Sequence, residues 1–326
     1  MKKQIIILRL VLFAAFFSSV VFAQTQEDVN KVQQFYAEGN TAFGRGDFSA
    51  AIESYTKAIN LYPKAAGLFA NRGGAYLNIR EYDLAIKDLD KALELGSNLP
   101  KIHLAEVYFN RGTAFQGKRD YDKSIEDLTK AISLNSENFK FYINRGNTYL
   151  IQKNYDLALA DFNKSLEITP FPSAFYNRAH VFYVKRNFDQ AASDLTKAIE
   201  LNPQFSEAFS NRGMIYQKKG NLEAALQDFT RAISLATNGV YYFNRANIYL
   251  QKGNFALAIA DFTKTIEIYP LWKIAYLQRA KIYQKQSQTK LAEADLQKAK
   301  EVEKENFQPF KDAALLYLYE LSEIEK

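Results

Sequence analysis

Apolar residues recur along most of the chain with a helical period, in pairs of short segments that polar turns separate. The stretch from Tyr142 to Pro170 shows this pattern most fully, because one apolar face runs up to a break at Lys153-Asn154 and a second begins at Tyr155. Residues three and four positions apart lie on one face of an α-helix. The stretch therefore predicts two helices joined by a tight turn.

The same pair of helices recurs along the chain, and a column of small residues marks each copy. These residues follow one another at intervals of 34, 39, 34, 33, 34, 33 and 34. They are Gly39, Gly73, Gly112, Gly146, Ala179, Gly213, Ala246 and Ala280. The extra residues of the long interval are expected around 96–100. Self-similarity at one period predicts a tandem-repeat architecture.

The repeated residues resemble the tetratricopeptide repeat (TPR), whose pattern is an aromatic residue, a small residue four positions on, Tyr, Ala, a large apolar residue and Pro. The resemblance implies an all-α, right-handed superhelical solenoid of about 17 helices. The predicted domain, residues 32–305, contains eight repeats. Their predicted ranges are 32–65, 66–104, 105–138, 139–171, 172–205, 206–238, 239–272 and 273–305. Residues 306–326 are predicted to form a C-terminal capping helix.

The first 23 residues have the pattern of a secretory signal peptide. A basic start with Lys2, Lys3 and Arg9 precedes an apolar run, and Val21-Phe22-Ala23 offers small residues for cleavage. An uncleaved membrane anchor is the alternative, because the apolar run approaches spanning length. We expect an exported protein, periplasmic or secreted, whose residues 24–31 form a short polar lead-in.

A basic column and an acidic column accompany the repeats. Arginine precedes the small residue in seven repeats, and an aspartate stands sixteen residues after each arginine. The first repeat lacks both, with Glu38 and Ser54. Because the two columns change together, we expect an Arg–Asp ladder of buried or half-buried pairs. The pairs are Arg72 and Asp88, Arg111 and Asp127, Arg145 and Asp161, Arg178 and Asp194, Arg212 and Asp228, Arg245 and Asp261, and Arg279 and Asp295. Anion binding by these arginines is the alternative.

An amide column lies next to the arginines, and the resemblance places it on the concave face that the first helices line. The amide column is Asn71, Asn110, Asn144, Asn177, Asn211, Asn244 and Gln278. A primary amide both donates and accepts, so it can bind a peptide backbone. This resembles the asparagine ladder of the TPR superhelix in O-linked N-acetylglucosamine transferase. The neighbouring candidates for a peptide-binding groove are Asn147, His180, Asn247, Tyr176, Phe109 and Phe243. The alternative is that each asparagine bonds neighbouring helices internally.

Composition gives little indication of catalysis. The chain has no cysteine and two histidines, His103 and His180, which lie in different repeats. It shows no phosphate-binding loop, no nucleophile elbow and no metal-ligand spacing. Without its first 23 residues the chain has 39 basic and 36 acidic residues, a net charge of +3. So small a charge does not point to nucleic acid or an anionic membrane. We expect no enzyme activity, no metal and no cofactor.

Two functions remain open at this point. The first is a protein–protein interaction scaffold that holds an extended peptide or a partner protein in the groove. The second is an architectural subunit of an envelope or secreted complex, joined through its convex face or its C-terminal helix. The segment from Phe310 to Ile324 is rich in leucine and tyrosine. It is interpreted as a cap, with a homodimer contact as the alternative.

Overall fold

The computed structural model describes residues 25–96 and 99–302, which form sixteen α-helices. The chain divides into two compact units, Met1–Thr169 and Pro170–Lys326. Unit 1 contains α1 (Gln26–Gly44), α2 (Phe48–Leu61), α3 (Ala66–Asn78), α4 (Tyr82–Leu95), α5 (Lys101–Gly117), α6 (Tyr121–Leu134), α7 (Phe139–Ile151) and α8 (Tyr155–Ile168). Unit 2 contains α9 (Pro172–Val184), α10 (Phe188–Leu201), α11 (Ser206–Lys218), α12 (Leu222–Leu235), α13 (Gly239–Gln251), α14 (Phe255–Ile268), α15 (Lys273–Lys285) and α16 (Thr289–Val302). The predicted signal peptide, residues 1–23, and the predicted helix from Phe310 to Ile324 lie outside the described residues.

In each unit, every odd-numbered helix packs against the even-numbered helix that follows it. Each even-numbered helix then packs against the next odd-numbered helix of the same unit. The described residues contain no β-strand. Because each helix pair buries its apolar face only against its neighbours, this arrangement is typical of a repeat solenoid. The predicted all-α class with paired helices is confirmed.

The small-residue column lets the two helices of a repeat approach closely. A Cβ atom added at Gly39 would lie 2.6 Å from a ring carbon of Tyr55, and one added at Gly146 would lie 2.7 Å from Phe162. Both aromatic side chains are fully buried. Glycine costs about 1 kcal/mol in a helix relative to alanine, and this packing offsets that cost.

The turn inside each repeat contains one residue in the left-handed region, with φ between 58° and 78°. These residues are Gly46, Arg80, Arg119, Lys153, Arg186, Gly220, Gly253 and Ser287. In each repeat the second helix begins two residues after this left-handed residue. Asp47, Asp120, Asn187 and Asn221 cap their helices by accepting a hydrogen bond from a backbone N–H three residues later. The turn thus projects its side chains at one end of every helix pair.

Two boundaries differ from the sequence prediction. The segment predicted as a polar lead-in is helical from Gln26, because Thr25 and Asp28 form a capping box that begins α1. The extra residues of the third repeat do not all lie in the loop before it. Instead, α5 begins at Lys101, eleven residues before Gly112, whereas α7 begins seven residues before Gly146. Four added residues make about one helical turn, which keeps the same face toward the core.

Candidate functional site

The amide column lies on the first helix of each repeat, but its members differ in exposure. Asn71, Asn110 and Asn211 are 7%, 5% and 1% exposed, so they are buried within their units. The remaining four are half-buried: Asn144, Asn177, Asn244 and Gln278. The column is therefore divided between side chains that a ligand can touch and side chains that the protein itself encloses.

In unit 1, the buried amide of Asn71 connects two first helices. Its Nδ2 lies 3.5 Å from Oδ1 of Asn40 on α1, which also accepts a hydrogen bond of 2.8 Å from the hydroxyl of Tyr55. The three residues come from α1, α2 and α3. This contact agrees with the alternative in which the asparagines tie helices together.

In unit 2, Asn211 has the same internal role with a different partner. Its Nδ2 donates to the hydroxyl of Tyr176 on α9 at 2.8 Å. The ring of Tyr176 packs on Phe205, with centroids 4.9 Å apart. Burial raises the pKa of Tyr176 far above its ordinary value, so the hydroxyl stays neutral. Asn211 therefore cross-links α11 to α9 instead of facing a groove.

Two carbonyl oxygens of the amide column lack a hydrogen-bond partner among the described residues. They are Oδ1 of Asn110 and Oδ1 of Asn211, and both atoms are shielded from solvent. An unsatisfied buried acceptor costs about 1–3 kcal/mol. The buried asparagines are therefore only partly compensated by the fold.

The predicted aromatic groove residues Phe109 and Phe243 are buried as well. Phe109 packs on Phe141 at 5.0 Å between ring centroids, and Phe243 packs on Trp272 at 4.4 Å. Large apolar side chains between successive first helices are more stable in contact with each other than in water. Their assignment as open groove residues is wrong: they form core between neighbouring repeats.

His180 is also enclosed, on α9 one helical turn after Tyr176. Its side chain is 7% exposed, and burial lowers its pKa to about 4. The imidazole is therefore neutral at physiological pH. The prediction that His180 lines the groove is corrected, because the side chain is buried.

The half-buried amides form two pairs on first helices. Asn144 and Asn147 stand three residues apart on α7 of unit 1, and Asn244 and Asn247 hold the equivalent positions on α13 of unit 2. Asn144 and Asn247 each donate one amide hydrogen to the carbonyl four residues earlier, at 3.3 and 3.0 Å. A primary amide has two such hydrogens and an acceptor oxygen. Asn144 and Asn247 can therefore each offer further hydrogen bonds to a ligand.

The structure brings every predicted Arg–Asp pair together. In each, the arginine Nε and Nη2 donate to the two carboxylate oxygens of its aspartate at 2.7–2.9 Å. This is the bidentate geometry that fits a guanidinium to a carboxylate. Hydrogen bonding to Asp228 raises the pKa of Arg212 above its ordinary value. The ladder is thus saturated internally, which argues against anion binding by these arginines.

A row of threonines that the sequence interpretation missed extends the ladder between repeats. The third nitrogen, Nη1, of several arginines donates to a threonine hydroxyl on the second helix of the preceding repeat, at 2.8–3.2 Å. These threonines are Thr56, Thr129, Thr196, Thr230 and Thr263. In Arg111 the equivalent nitrogen donates to Asp90. The spacing of fifteen or sixteen residues before each arginine could have revealed them.

Aromatic rings flank the guanidinium groups. Arg212, for example, lies 5.6 Å from the ring centroid of Phe209 and 5.7 Å from that of Tyr216. The rings stand three residues before and four residues after the arginine, so all three lie on one helix face. Arg212 therefore connects three helices and two aromatic side chains, with cation–π attraction in addition to its hydrogen bonds.

Neither metal ligation nor membrane spanning is evident in the described part of the chain. Residues 25–96 and 99–302 contain no group of three or more His, Asp or Glu side chains placed to hold a metal ion. None of the sixteen helices is long and apolar enough to cross a bilayer.

Comparison with known proteins agrees with the repeat geometry. The tetratricopeptide repeat family matches residues 105–138, 139–171, 172–205, 206–238 and 240–270, and two further matches of the same description cover 36–100 and 274–306. The comparison with curated proteins gives no match.

Three solved structures illustrate the shared fold, and two of them are of tetratricopeptide repeat proteins. One from Parabacteroides merdae is 19% identical, covers 81% of this chain and 99% of its own, and superposes with a TM-score of 0.57. PilF of Pseudomonas aeruginosa is 20% identical, covers 67% and 97%, and has a TM-score of 0.57. The C-terminal part of a Cytophaga hutchinsonii repeat protein is 18% identical, covers 74% and 97%, and has a TM-score of 0.56. On the family matches and these folds together, the chain belongs to the tetratricopeptide repeat family.

Proposed function

We propose that the chain is a non-catalytic scaffold that binds an extended peptide or a partner protein along the first helices of its repeats. The observation that supports this is the pair of half-buried amides on α7 and the equivalent pair on α13. These amides are only half-buried, whereas neighbouring repeats have buried side chains at the same positions. A half-buried amide can donate hydrogen bonds to a peptide backbone and accept them from it. An extended peptide presents N–H and C=O groups about every 3.3 Å.

The buried members of the amide column limit this proposal to part of the predicted set. The half-buried members that a ligand can reach are Asn144, Asn147, Asn177, Asn244, Asn247 and Gln278, whereas the Tyr176 hydroxyl bonds Asn211 inside the fold. The six buried candidates contribute to the fold: Asn71, Asn110, Asn211, His180, Phe109 and Phe243. Their burial favours, as second candidate, an architectural subunit that uses its convex face or the C-terminal segment.

A photo-crosslinking experiment in the native cell distinguishes the two functions. A photoreactive amino acid at position 147 or 247 is expected to give a covalent adduct with one defined partner. Matched positions on second helices, Glu126 on α6 and Gln227 on α12, are exposed and should give none. Adducts from positions 126 and 227 alone would favour the architectural subunit and contradict groove binding.

The affinity of the chain for the purified partner, measured for the variants below, provides the quantitative test. Asn244→Ala with Asn247→Ala should weaken binding at least about fivefold, because each lost hydrogen bond contributes about 0.5–1.5 kcal/mol. The free energy of unfolding should change by about 0.5 kcal/mol or less per substitution, as is usual for accessible side chains. Asn211→Ala is the matched control, since it should lower stability and leave binding strength in the folded fraction unchanged. Unchanged binding by the double variant would contradict the proposal.

Export of the chain is part of the same proposal and rests on the pattern of residues 1–23. N-terminal sequencing of the protein from its native cell should begin at Gln24. A mature protein that retains Met1 would contradict cleavage and favour a membrane anchor. A homodimer through the C-terminal segment remains a prediction, since that segment lies outside the described residues.

A further inference from the structure

The charge of the chain is distributed unevenly between its two units. The described part of unit 2, residues 170–302, contains 18 Lys and Arg against 11 Asp and Glu, a net charge of +7. Residues 25–169 of unit 1 contain 18 basic and 19 acidic residues, a net charge of −1. The small net charge of the whole chain therefore conceals a strongly basic unit.

The excess lies at the turn inside each repeat. We define the turn edge as nine residues per repeat, from two before the end of the first helix to the third residue of the second. In unit 2 these four segments contain seven basic residues and two acidic ones, Asp189 and Glu223. All seven basic residues are exposed. This basic edge consists of Lys185, Arg186, Lys218, Lys219, Lys252, Lys285 and Lys290.

Unit 1 provides an internal comparison at identical positions. Its four turn segments contain six basic and six acidic residues. Because the same turns form in both units, the fold itself does not require a positive edge. The excess in unit 2 is therefore a property of its surface residues and not of the turn.

Part of the charge at these turns serves to join repeats. In unit 2, Lys219 pairs with Asp189 of the preceding repeat and Lys252 pairs with Glu223. In unit 1, Lys118 pairs with Asp83 in the same way. These pairs join neighbouring repeats, and with seven basic and two acidic residues the turn edge of unit 2 has a net charge of +5.

Exposed leucines accompany the basic edge. Leu257 and Leu291, the third residues of α14 and α16, are each 50% exposed and lie in the turn segments of successive repeats. Leu84 and Leu157 hold the same position in unit 1 and are also exposed, so the lysines distinguish the unit 2 edge. Leu291 directly follows Lys290. Lysine beside exposed aliphatic side chains is the combination that binds the interface of an anionic bilayer. Six of the seven charges are lysines, whereas single-stranded nucleic acid is typically held by aromatic stacking and arginine.

We propose that the basic edge of unit 2 binds the surface of an anionic phospholipid bilayer. Successive repeats stand about 10 Å apart, roughly one helix diameter, so the four turns present their charges over about 30 Å. Asn244 precedes the end of α13 by seven residues, or about 10 Å along the helix axis. The amide pair on α13 therefore stays clear of a membrane that contacts the turns. This contact goes beyond the proposed scaffold and does not depend on it.

Vesicle binding by the chain that begins at Gln24 tests the proposal, because the apolar residues 1–23 would otherwise insert. The chain should bind vesicles with about one third phosphatidylglycerol and not pure phosphatidylcholine, with binding lost at high salt. Each basic residue near an anionic surface contributes about fivefold to affinity. A triple variant, Lys218→Gln, Lys285→Gln and Lys290→Gln, should therefore bind about a hundredfold more weakly.

A matched triple variant in unit 1 controls for total charge. Arg80→Gln, Arg119→Gln and Lys153→Gln remove three charges from the equivalent turn segments of unit 1, at the left-handed residue of each turn, and should change vesicle affinity less than about threefold. Equal losses in both variants would overturn the assignment to unit 2. So would equal binding to neutral vesicles, or binding to single-stranded DNA without binding to vesicles. Leu291→Ser, which changes no charge, should also weaken vesicle binding, and circular dichroism verifies that each variant is folded. Because no partner protein is present, the result is separate from the test of the groove.

Discussion

Replacing Arg145 with alanine is expected to lower the free energy of unfolding by about 3 kcal/mol. Its Nε and Nη2 donate to the two carboxylate oxygens of Asp161 at 2.8 and 2.7 Å, and its Nη1 donates to Thr129 at 2.9 Å. The Asp161 side chain is only 7% exposed, so the substitution leaves a buried carboxylate without its cation. Removing one partner of a buried pair typically costs about 3–5 kcal/mol. The arginine is 18% exposed, which places the expected loss at the lower end.

A double-mutant cycle with Asp161→Ala measures the pair itself. Urea unfolding of the wild-type chain, both single variants and the double variant should give a coupling energy of about 2–3 kcal/mol. Arg145→Lys should recover little, since an ammonium cannot make the bidentate contact. A coupling energy below about 0.5 kcal/mol would contradict a buried pair and leave the arginine available for other roles.

The first repeat supplies a natural control for this position. Glu38 and Ser54 stand where the other repeats have arginine and aspartate. Arg145→Glu alone should be more destabilising than Arg145→Ala, because it places two carboxylates side by side. Adding Asp161→Ser, which reproduces the pair of the first repeat, should restore part of the loss. No recovery would mean that the ladder acts through Thr129 and the neighbouring aromatic rings instead.

The repeat and its ladder were predictable from the sequence because they depend on spacing alone. The interval of about 34 residues determines which helices pair, and a separation of sixteen residues places an arginine on the first helix opposite an aspartate on the second. The threonines were missed although they have a comparable spacing, because a single hydroxyl donor or acceptor gives no charge signal. The extra helical turn of α5 was also missed, since Gly96 and Pro100 suggest a loop and the turn contains no cap that the sequence could indicate.

The accessibility of the amide column could not be predicted from the sequence. Asn144 and Asn211 occupy the same repeat position, yet the first is half-buried and the second is 1% exposed. One difference lies in the preceding repeat, where the Tyr176 hydroxyl accepts a hydrogen bond from Asn211. Phe109 holds that position before Asn144 and has no hydroxyl. The residue types along a single helix face do not show which side chains of the neighbouring repeat contact them.

The net charge of the whole chain also contains no information about repeat positions. The sum averages the −1 of residues 25–169 with the +7 of residues 170–302, and the interpretation that the charge does not point to an anionic membrane followed from that sum. Counting charge by repeat position, and comparing equivalent turns in the two units, reveals the basic edge. In a repeat protein the equivalent position is the appropriate unit of comparison, because each repeat serves as a control for the others.

The second large effect concerns pH, and it arises from His180. The pKa of this imidazole is lowered to about 4 by burial, whereas an unfolded chain has a histidine pKa near 6.5. The folded state therefore excludes a proton that the unfolded state accepts between these values. Stability from neutral His180 is fully present above about pH 6.5 and falls as the pH drops toward 4. About 2.5 pKa units correspond to roughly 3 kcal/mol.

His180→Asn separates this contribution from every other titration in the protein. Asparagine occupies the equivalent position in two other repeats, as Asn147 and Asn247, so the substitution fits the local helix. The variant should be less stable than the wild-type chain at pH 7.5, because the buried site is not shaped for asparagine. That difference should shrink or reverse by about 3 kcal/mol between pH 7.5 and pH 4, since the variant has no imidazole to protonate. Urea unfolding at both pH values measures it, and parallel pH profiles for the two proteins would show that His180 titrates normally and is accessible to solvent. In that case His180 would return to the set of side chains that a ligand in the groove can reach.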